Sequence, residues 1–411
     1  MNATDVVEAI ADAHQQEWAR VVAAMARRFG DLDIAEEAAA EAFATAVERW
    51  PVDGVPPSPG AWLTTTAHRK AIDRIRRENK RDDKQREARR LYDDNPPEPL
   101  GAIDDERLRL IFTCCHPALG VEARVALTLR MVGGLTVPEI ARAFLVQETT
   151  MGQRITRAKA KIQSARIPYR VPSAEDLPAR VSAVLAVLFL VFNEGYLATG
   201  PDTDPVRHDL TAEAIRLTRL LHGLVPQDGE VAGLLALMLL TEARRTARVS
   251  PTGELITLDE QDRGAWDESL IAEGQRLVLE RLAAGVPPGR YQILAAINAV
   301  HTSARAARDT DWSQVVALYN RLVRLDPSPI VALNRAVAVA ELDGPEVALA
   351  VVDRLDDALA GYHAYHATRA DLLRRLGRSR ESFLAYDRAI ELAGNTAESA
   401  YLTRRRDQQA L

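Results

Sequence analysis

A short cationic segment near the middle of the chain carries residue types that contact nucleic acids. Residues 134–162 read GLTVPEIARAFLVQETTMGQRITRAKAKI. Amide, guanidinium and ammonium groups donate hydrogen bonds to base edges and to phosphate oxygens. The candidates for base or phosphate contact are Gln153, Arg154 and Arg157, and the candidates for phosphate contact alone are Lys159 and Lys161.

The same segment contains the signals of two short helices that would hold these side chains. Thr136 can cap the first helix, Pro138 is tolerated in its first turn, and Glu139 completes a capping box. In the second helix an apolar stripe recurs at helical spacing, opposite most of the cationic residues. This stripe consists of Met151, Ile155, Ala158 and Ile162. The pattern predicts a helix-turn-helix whose second helix enters the DNA major groove.

A second basic segment, PGAWLTTTAHRKAIDRIRR, occupies residues 59–77. Residues 69–90 contain 11 Lys and Arg against 5 Asp and Glu, an excess that suits a phosphate backbone. Trp62 could stack on an unpaired base, but a Trp-Leu pair that opens a helix is more often core, and we favour the core. The candidate DNA contacts here are Arg69, Lys70, Arg74, Arg76 and Arg77.

An acidic segment, DLDIAEEAAAEAF, precedes them at residues 31–43. Ala and Phe residues supply an apolar stripe, and no basic residue occurs before Arg49. On its own, this pattern is more typical of a solvated helix face than of a binding surface. The candidate binding residues in it are Asp33, Glu36, Glu37 and Glu41.

In this order, the three segments resemble the extracytoplasmic-function class of bacterial RNA polymerase sigma factors. That class has an acidic D-x-A-E-D-x-x-Q-E-x-F helix, a W-L-x-x-I-A-R-N-x-x-I-D-x-x-R-R helix and, after a linker, a helix-turn-helix. The corresponding segments here are Asp33–Phe43, Trp62–Arg77 and Leu135–Lys159. The resemblance covers about residues 5–165, although Arg69 stands where the class usually has Asn.

The resemblance implies a protein without catalysis, cofactor or metal, whose partners are core RNA polymerase and promoter DNA. The acidic candidates would bind the polymerase clamp. The basic helix, with the preceding loop, would capture the −10 element, and the helix-turn-helix would read the −35 element. The implied domains are a region 2 domain at 1–92, a linker at 93–103 and a region 4 domain at 104–168.

A different function remains open from the residues alone. A transcriptional regulator that never joins polymerase would need only the helix-turn-helix, with the rest of the chain as a sensor. That interpretation leaves the acidic helix and the basic Trp62–Arg77 helix unexplained.

Residues 169–411 are predicted to form a further helical domain, which makes the whole chain all-α. Tyr319–Pro327 resembles Tyr386–Gly394, and Gly344 and Gly377 are 33 residues apart. A period near 34 is typical of tetratricopeptide repeats, predicted here over residues 312–405. Generic antiparallel helices are the alternative. The extension is similar to one subgroup of the class, including its Phe192–Tyr196 segment.

Charge is distributed unequally along the chain. Residues 1–170 have 26 Lys and Arg against 25 Asp and Glu, whereas residues 171–411 have 26 against 33, a balance of −7. We therefore hypothesise that the C-terminal domain contacts the sigma domains, or another protein, and controls their exposure. One polar cluster is a candidate interface, with a loop-fixing ion-pair network as the alternative. It consists of Asp262, Arg263, Trp266 and Asp267.

The remaining signals concern location. The only cysteines, Cys114 and Cys115, are adjacent and cannot form a disulfide framework, which fits a reducing compartment. Residues 181–192 are the most apolar stretch but are short enough for a buried helix. The N-terminus shows no signal pattern. We therefore expect a cytoplasmic protein with no membrane partner and no metal at the Cys pair.

Overall fold

A computed structural model describes residues 3–81, 106–144, 146–173, 175–197, 206–250, 255–394 and 396–408. Within these ranges the chain is helical, and its β pairing is limited to an isolated bridge between Val249 and Leu255. The prediction of an all-α protein is therefore confirmed. The chain divides into two compact units, residues 1–188 and 189–411. The predicted linker at 93–103 lies outside the described residues.

Three long helices form the first part of the N-terminal unit, which we call the three-helix domain. They are α1 (Ala3–Phe29), α2 (Leu32–Asp53) and α3 (Pro59–Arg81). The Asp31 carboxylate caps α2 by accepting hydrogen bonds from the backbone of Asp33 at 2.8 Å and Ile34 at 3.1 Å. Small Ala side chains on the inner face of α2 are buried, which brings the helices close together.

The connection between α2 and α3 is shorter than the sequence indicated. The four prolines and two glycines of residues 51–60 predict a loop over that whole range, which is wrong at both ends. Pro51 continues α2 to Asp53, since a proline in the last turn costs one helical hydrogen bond at most. Gly54, with φ of 84°, ends the helix by donating to the carbonyl of Trp50. Pro59 opens α3, a position that proline favours.

Trp62 lies on the inner side of α3 and is half-buried. Its ring contacts that of the fully buried Trp50 edge-on, with centroids 5.6 Å apart. This packing agrees with the core interpretation of Trp62.

Four further helices and a π-helical turn form the helix-turn-helix domain of the same unit. They are α4 (Glu106–Cys114), α5 (Val121–Thr128), the π-helical turn (Leu129–Gly133), α6 (Val137–Ala143) and α7 (Glu148–Ser164). The predicted capping box is present, because the Glu139 carboxylate accepts from the Thr136 backbone at 2.7 Å and the Thr136 hydroxyl accepts from the Glu139 backbone. The predicted apolar stripe of α7 is buried in full.

Among the described residues, helix α8 (Leu177–Tyr196) is the one helix that is long and apolar enough, by length and composition alone, to cross a membrane. Its inward side chains are buried in the structure, as in the core helix of a globular domain. They are Val181, Val184, Leu185, Val187, Leu188, Val191 and Phe192.

The C-terminal unit continues with short helices in close succession. They are α9 (His208–Leu224), α10 (Gly229–Glu242), α11 (Arg245–Arg248), α12 (Glu268–Ala283), α13 (Arg290–Ser303), α14 (Trp312–Leu325), α15 (Pro329–Leu342), α16 (Pro345–Val352), α17 (Asp356–Leu359), α18 (His363–Arg375), α19 (Ser379–Leu392) and α20 (Thr396–Asp407). Helices α14–α16 and α18–α20 each pack mainly on their neighbours in sequence. Such packing is typical of a helical solenoid.

Helices α18 and α19 share a core of small and aromatic side chains, which lets the paired helices pack closely. Ala370, Tyr386 and Ala389 are buried in one apolar cluster with Tyr365. The Ser382 hydroxyl donates to the carbonyl of Ala370 at 2.7 Å, which ties α19 to α18. Helical pairs are therefore present, and their assignment as tetratricopeptide repeats stays a prediction.

Candidate functional site

The four acidic candidates on α2 do not act as one surface. Asp33 and Glu36 lie against the helix-turn-helix domain, whereas Glu37 and Glu41 lie against α3. A helix turns by about 100° per residue, so neighbouring positions 36 and 37 can meet different partners. The acidic face is therefore divided between the two basic segments found in the sequence.

The contact with the helix-turn-helix domain is a compact set of ion pairs, which we call the inter-domain cluster: Asp33, Glu36, Arg130 and Lys159. The Lys159 ammonium lies 2.8 Å from Asp33 and contacts Glu36. Nε of Arg130 lies 2.5 Å from Glu36. The Lys159 side chain is 9% exposed and that of Glu36 is 14% exposed, so water screens these charges poorly. Gln163 adds a hydrogen bond of 2.8 Å to Asp31.

An aromatic contact extends the same interface. Trp18, His14 and Phe43 pack as a triad with ring centroids 5.0 to 5.7 Å apart. Gly134, with φ of 77°, lies directly on this triad. A Cβ at Gly134 would come within 2.8 Å of His14 and 3.0 Å of Trp18. The guanidinium of Arg130 sits 5.9 Å above the Trp18 ring. Glycine is therefore required here by both backbone conformation and space.

Tyr169, which follows α7, links α1 and α4 of the N-terminal unit through its hydroxyl group. Its hydroxyl lies 3.1 Å from the carbonyl oxygen of Ala23 in α1 and 3.3 Å from that of Glu106 in α4. Burial, and next the charge of Glu106, raises the pKa of this phenol well above 10. An ion pair between Arg27 and Glu106, 2.6 Å long, lies beside it.

The second set of ion pairs, which we call the α2–α3 cluster, is more open to solvent. Arg74 pairs with Glu37, whose side chain is 53% exposed. Glu41 lies 3.7 Å from Lys70 and 4.0 Å from Arg77. The two remaining basic candidates of this helix, Arg69 and Arg76, are exposed. Helix α3 therefore presents a cationic face whose paired members are held by acidic side chains of α2.

The candidates on α7 divide into three groups. Gln153, Arg157 and Lys161 are exposed, as direct contact with DNA requires. Arg154 is half-buried and lies 2.7 Å from Glu122 of α5. Because Glu122 is exposed, this ion pair contributes little and can be replaced by a contact with DNA. Lys159 is buried in the inter-domain cluster.

The position of Lys159 differs from the sequence expectation of a phosphate contact. In this conformation its ammonium is held by two carboxylates and is closed off from a DNA backbone. A signal was present in the sequence, because Lys159 lies four residues after Ile155 and three before Ile162, on the apolar stripe itself. Arg130, which the motif analysis did not single out, completes the cluster.

The adjacent cysteines at the end of α4 lie in the core of the helix-turn-helix domain. Cys114 and Cys115 are buried, and the Cys115 sulfur lies 3.2 Å from the Thr128 hydroxyl. Burial raises the pKa of the Cys115 thiol to about 11, which keeps it a neutral thiol at neutral pH. In the part of the chain that the structure describes, no group of three or more His, Cys, Asp or Glu side chains could hold a metal ion.

In the candidate cluster of the C-terminal unit, Asp262, Arg263 and Asp267 have internal partners, whereas Nη2 of Arg263 and Nε1 of Trp266 are buried without a hydrogen bond. Asp262 accepts from the backbone of Gly264 at 2.9 Å, and Asp267 caps α12. Arg263 donates to two carbonyl oxygens at the end of α13, at 2.6 and 2.7 Å, and lies 4.6 Å above the buried Trp266 ring. These contacts favour the loop-fixing role over an open interface, and the interface stays a prediction.

Comparison with known proteins identifies three families along the chain. Residues 14–81 match the family Sigma-70 region 2, residues 109–162 match Sigma-70 region 4, and residues 180–284 match a family of unknown function, DUF6596. An uncharacterized protein of Rhizobium meliloti strain 1021 is 44% identical over 95% of this chain and 93% of its own length. No solved structure matches significantly.

Relatives with functional names match a smaller share of the chain. The ECF RNA polymerase sigma factor SigK of Mycobacterium tuberculosis is 30% identical over 38% of this chain and 84% of SigK. The probable ECF sigma factor SigI of the same species is 29% identical over 43% of this chain and 60% of SigI. The two sigma-70 domains define the chain as a sigma factor. More narrowly, it belongs to the extracytoplasmic-function RNA polymerase sigma factors.

Proposed function

We propose that this chain binds core RNA polymerase through α2 and directs it to promoters through α3 and α7. The observation that carries the proposal is the placement of the acidic and cationic faces. Helix α2 carries the four acidic candidates, α3 has an excess of basic side chains, and α7 presents Gln153, Arg157 and Lys161 to solvent. A regulator that only binds an operator needs neither the acidic side chains of α2 nor the basic side chains of α3.

We further propose that the structure is a closed form of the N-terminal unit. Glu36, one of the proposed polymerase contacts, is occupied by Arg130 and Lys159, and Lys159 is one of the proposed DNA contacts. Both residues become available only if the helix-turn-helix domain leaves α2. Polymerase binding and release of the inter-domain cluster would then be linked, since a ligand that binds one form shifts the equilibrium toward it.

Run-off transcription tests the first part of the proposal. Purified core polymerase, the full chain and a library of promoter fragments should give discrete products that the polymerase alone does not give. Binding to specific DNA without any product would instead support a regulator that acts apart from polymerase. The double variant Arg69→Gln and Arg76→Gln removes two exposed charges of α3. It should weaken promoter opening while polymerase binding stays intact.

A reversible cross-link tests the closed form. Asp31 and Gln163 lie on opposite sides of the interface with the ends of their side chains 2.8 Å apart. Cysteines at these positions are too short to form a direct disulfide, so Asp31→Cys with Gln163→Cys should be bridged by a short bis-methanethiosulfonate reagent, which attaches through two reducible disulfides. The cross-linked double variant should lose polymerase binding and regain it on reduction, and each single variant should keep polymerase binding after the same treatment. A cross-linked protein that still initiates transcription contradicts the closed-form proposal.

The C-terminal unit is proposed to regulate this activity. The support is the contrast in charge: residues 171–411 have a balance of −7, whereas the proposed DNA-binding helices of the N-terminal unit are basic. A chain ended after Leu197 keeps α8 whole and so preserves the contact of Arg180 with the carbonyl of Phe112. If this shortened chain binds polymerase and initiates transcription like the full chain, the regulatory proposal fails.

A further inference from the structure

The C-terminal unit contains a cavity that the proposed function does not use. It has a volume of about 530 Å³ and lies among α10, α12, α13 and α14, with the turn at 285–288 along one edge. Sites for small organic ligands occupy roughly 300–1,000 Å³. The cavity is therefore large enough for a small molecule.

Most of the cavity wall is apolar, and part of it is open to solvent. Leu277 and Ile293 are buried, whereas Leu282, Val286 and Leu325 are each more than half exposed. Large apolar side chains grouped around a concavity mark binding sites, because exposing them to water without a ligand is unfavourable. This wall suits an aliphatic or otherwise apolar ligand body.

The charges that line the cavity are all positive. Arg281 comes from α12 and Arg321 and Arg324 come from α14, and the lining includes no acidic side chain. None of the three has an ion-pair partner within the described residues. By contrast, Arg276, on the same helix as Arg281, pairs with Glu280 at 2.6 Å. The cavity therefore favours a ligand with negative charge.

Arg281 and Gln292 bring hydrogen-bond donors to one point. A Cβ on Gly229 would lie 2.8 Å from Nη2 of Arg281 and 2.7 Å from Nε2 of Gln292, so these two nitrogens are close together. The guanidinium of Arg281 has no carboxylate partner among the described residues. A carboxylate in the cavity that accepts from its Nη nitrogens would form charge-assisted hydrogen bonds.

We propose that this cavity binds a small amphipathic carboxylate, with its apolar body against α12, α13 and α14 and its head group at Arg281. Arg321 and Arg324 add favourable charge at the rim. Ligand binding by the C-terminal unit does not depend on polymerase binding and can be tested without polymerase.

Calorimetric titration of the full-length chain with three probes of one tail length tests it. Octanoate should bind saturably with a dissociation constant of about 1 mM or tighter. Octan-1-ol, with the same tail and no charge, should bind about tenfold more weakly, because it lacks the charge-assisted hydrogen bonds. Octylammonium should not bind. Equal binding of octanoate and octan-1-ol, or no saturable binding of octanoate, overturns the proposal.

Two variants locate the site. Arg281→Gln should abolish the preference for octanoate over octan-1-ol and leave octan-1-ol binding unchanged. Ala296→Phe fills the cavity and should weaken both ligands. Arg308→Gln is the matched control, since the Arg308 side chain is 87% exposed and does not line the cavity. A preference for octanoate that survives Arg281→Gln overturns the proposal, even if Ala296→Phe fails to fold.

Discussion

The inter-domain cluster and the α2–α3 cluster use the same acidic helix but in different surroundings. Glu36 is nearly enclosed and meets two cations from the helix-turn-helix domain, whereas its neighbour Glu37 is 53% exposed and meets Arg74 alone. Both are carboxylates paired with basic side chains. Burial is what separates them, and it gives the two clusters different energetic roles.

Removing one partner from a buried ion pair is expensive, because the charge left behind has lost both its partner and its hydration. Exposed pairs usually contribute less than about 1 kcal/mol, because water already solvates both charges. We therefore expect the inter-domain cluster to fix the arrangement of the two domains. The α2–α3 cluster can exchange its internal partners for polymerase or phosphate at little cost.

The largest expected effect is that of Glu36→Ala. The substitution leaves Arg130 and Lys159 without their shared carboxylate. It should lower the free energy of unfolding of the N-terminal unit by about 3 kcal/mol, measured by urea denaturation. The matched variant Glu37→Ala should lower it by about 0.5 kcal/mol or less. Equal losses at positions 36 and 37 would contradict the distinction between the two clusters.

Gly134→Ala should give the next largest effect. An alanine must adopt a left-handed φ there, at about 1 kcal/mol. Its Cβ also enters the space of His14 and Trp18, at about 1–2 kcal/mol more. Gly30→Ala is the control, because Gly30 has a similar φ of 66° and open space around it. The difference in unfolding free energy between the two variants measures the interface contact, and no difference would mean that the contact is loose.

Much of this organisation could be predicted from the sequence. The helix-turn-helix could be predicted because its signals are local. The capping box of Thr136 and Glu139 and the apolar stripe of α7 are both present in the folded chain. A core position for Trp62 was expected as well, although its partner Trp50 was not. These features depend on spacing within one helix or turn, which the order of residues displays directly.

The interface between the two domains could not be predicted in the same way. The contact between Lys159 and Asp33 joins residues 126 positions apart, and nothing in either segment indicates the other. Lys159 looked like a phosphate ligand because it lies in a cationic run. Its place on the apolar stripe was visible, but a lysine there commonly extends its ammonium to solvent. Only the tertiary structure supplies the carboxylates that receive it.

Tyr169→Phe should cost about 1 kcal/mol near neutral pH, through the lost hydrogen bond to Ala23 or Glu106. This difference in unfolding free energy should decrease above pH 10. Because the folded pKa of Tyr169 is raised, the folded state keeps the phenolic proton above pH 10 while the unfolded state loses it. The wild-type chain therefore loses stability as pH rises above 10, and the Phe variant does not lose this contribution.

Urea denaturation of both proteins at pH 7 and above pH 10 measures this difference. The gap between them should narrow as the pH increases. A gap that stays constant or widens would show that Tyr169 ionises as easily in the folded chain as in water.

The smallest effect on stability is expected at Lys161, two residues from Lys159 but exposed. Lys161→Ala should leave the unfolding free energy unchanged within about 0.5 kcal/mol. In a complex with core polymerase it should still weaken promoter binding. If Lys161 contacts one phosphate, the slope of log affinity against log salt should fall by about 0.9, and Lys161→Arg should retain the full slope. An unchanged slope would remove Lys161 from the DNA interface and leave the phosphate contacts of α7 to Arg157 and to Lys159 after opening.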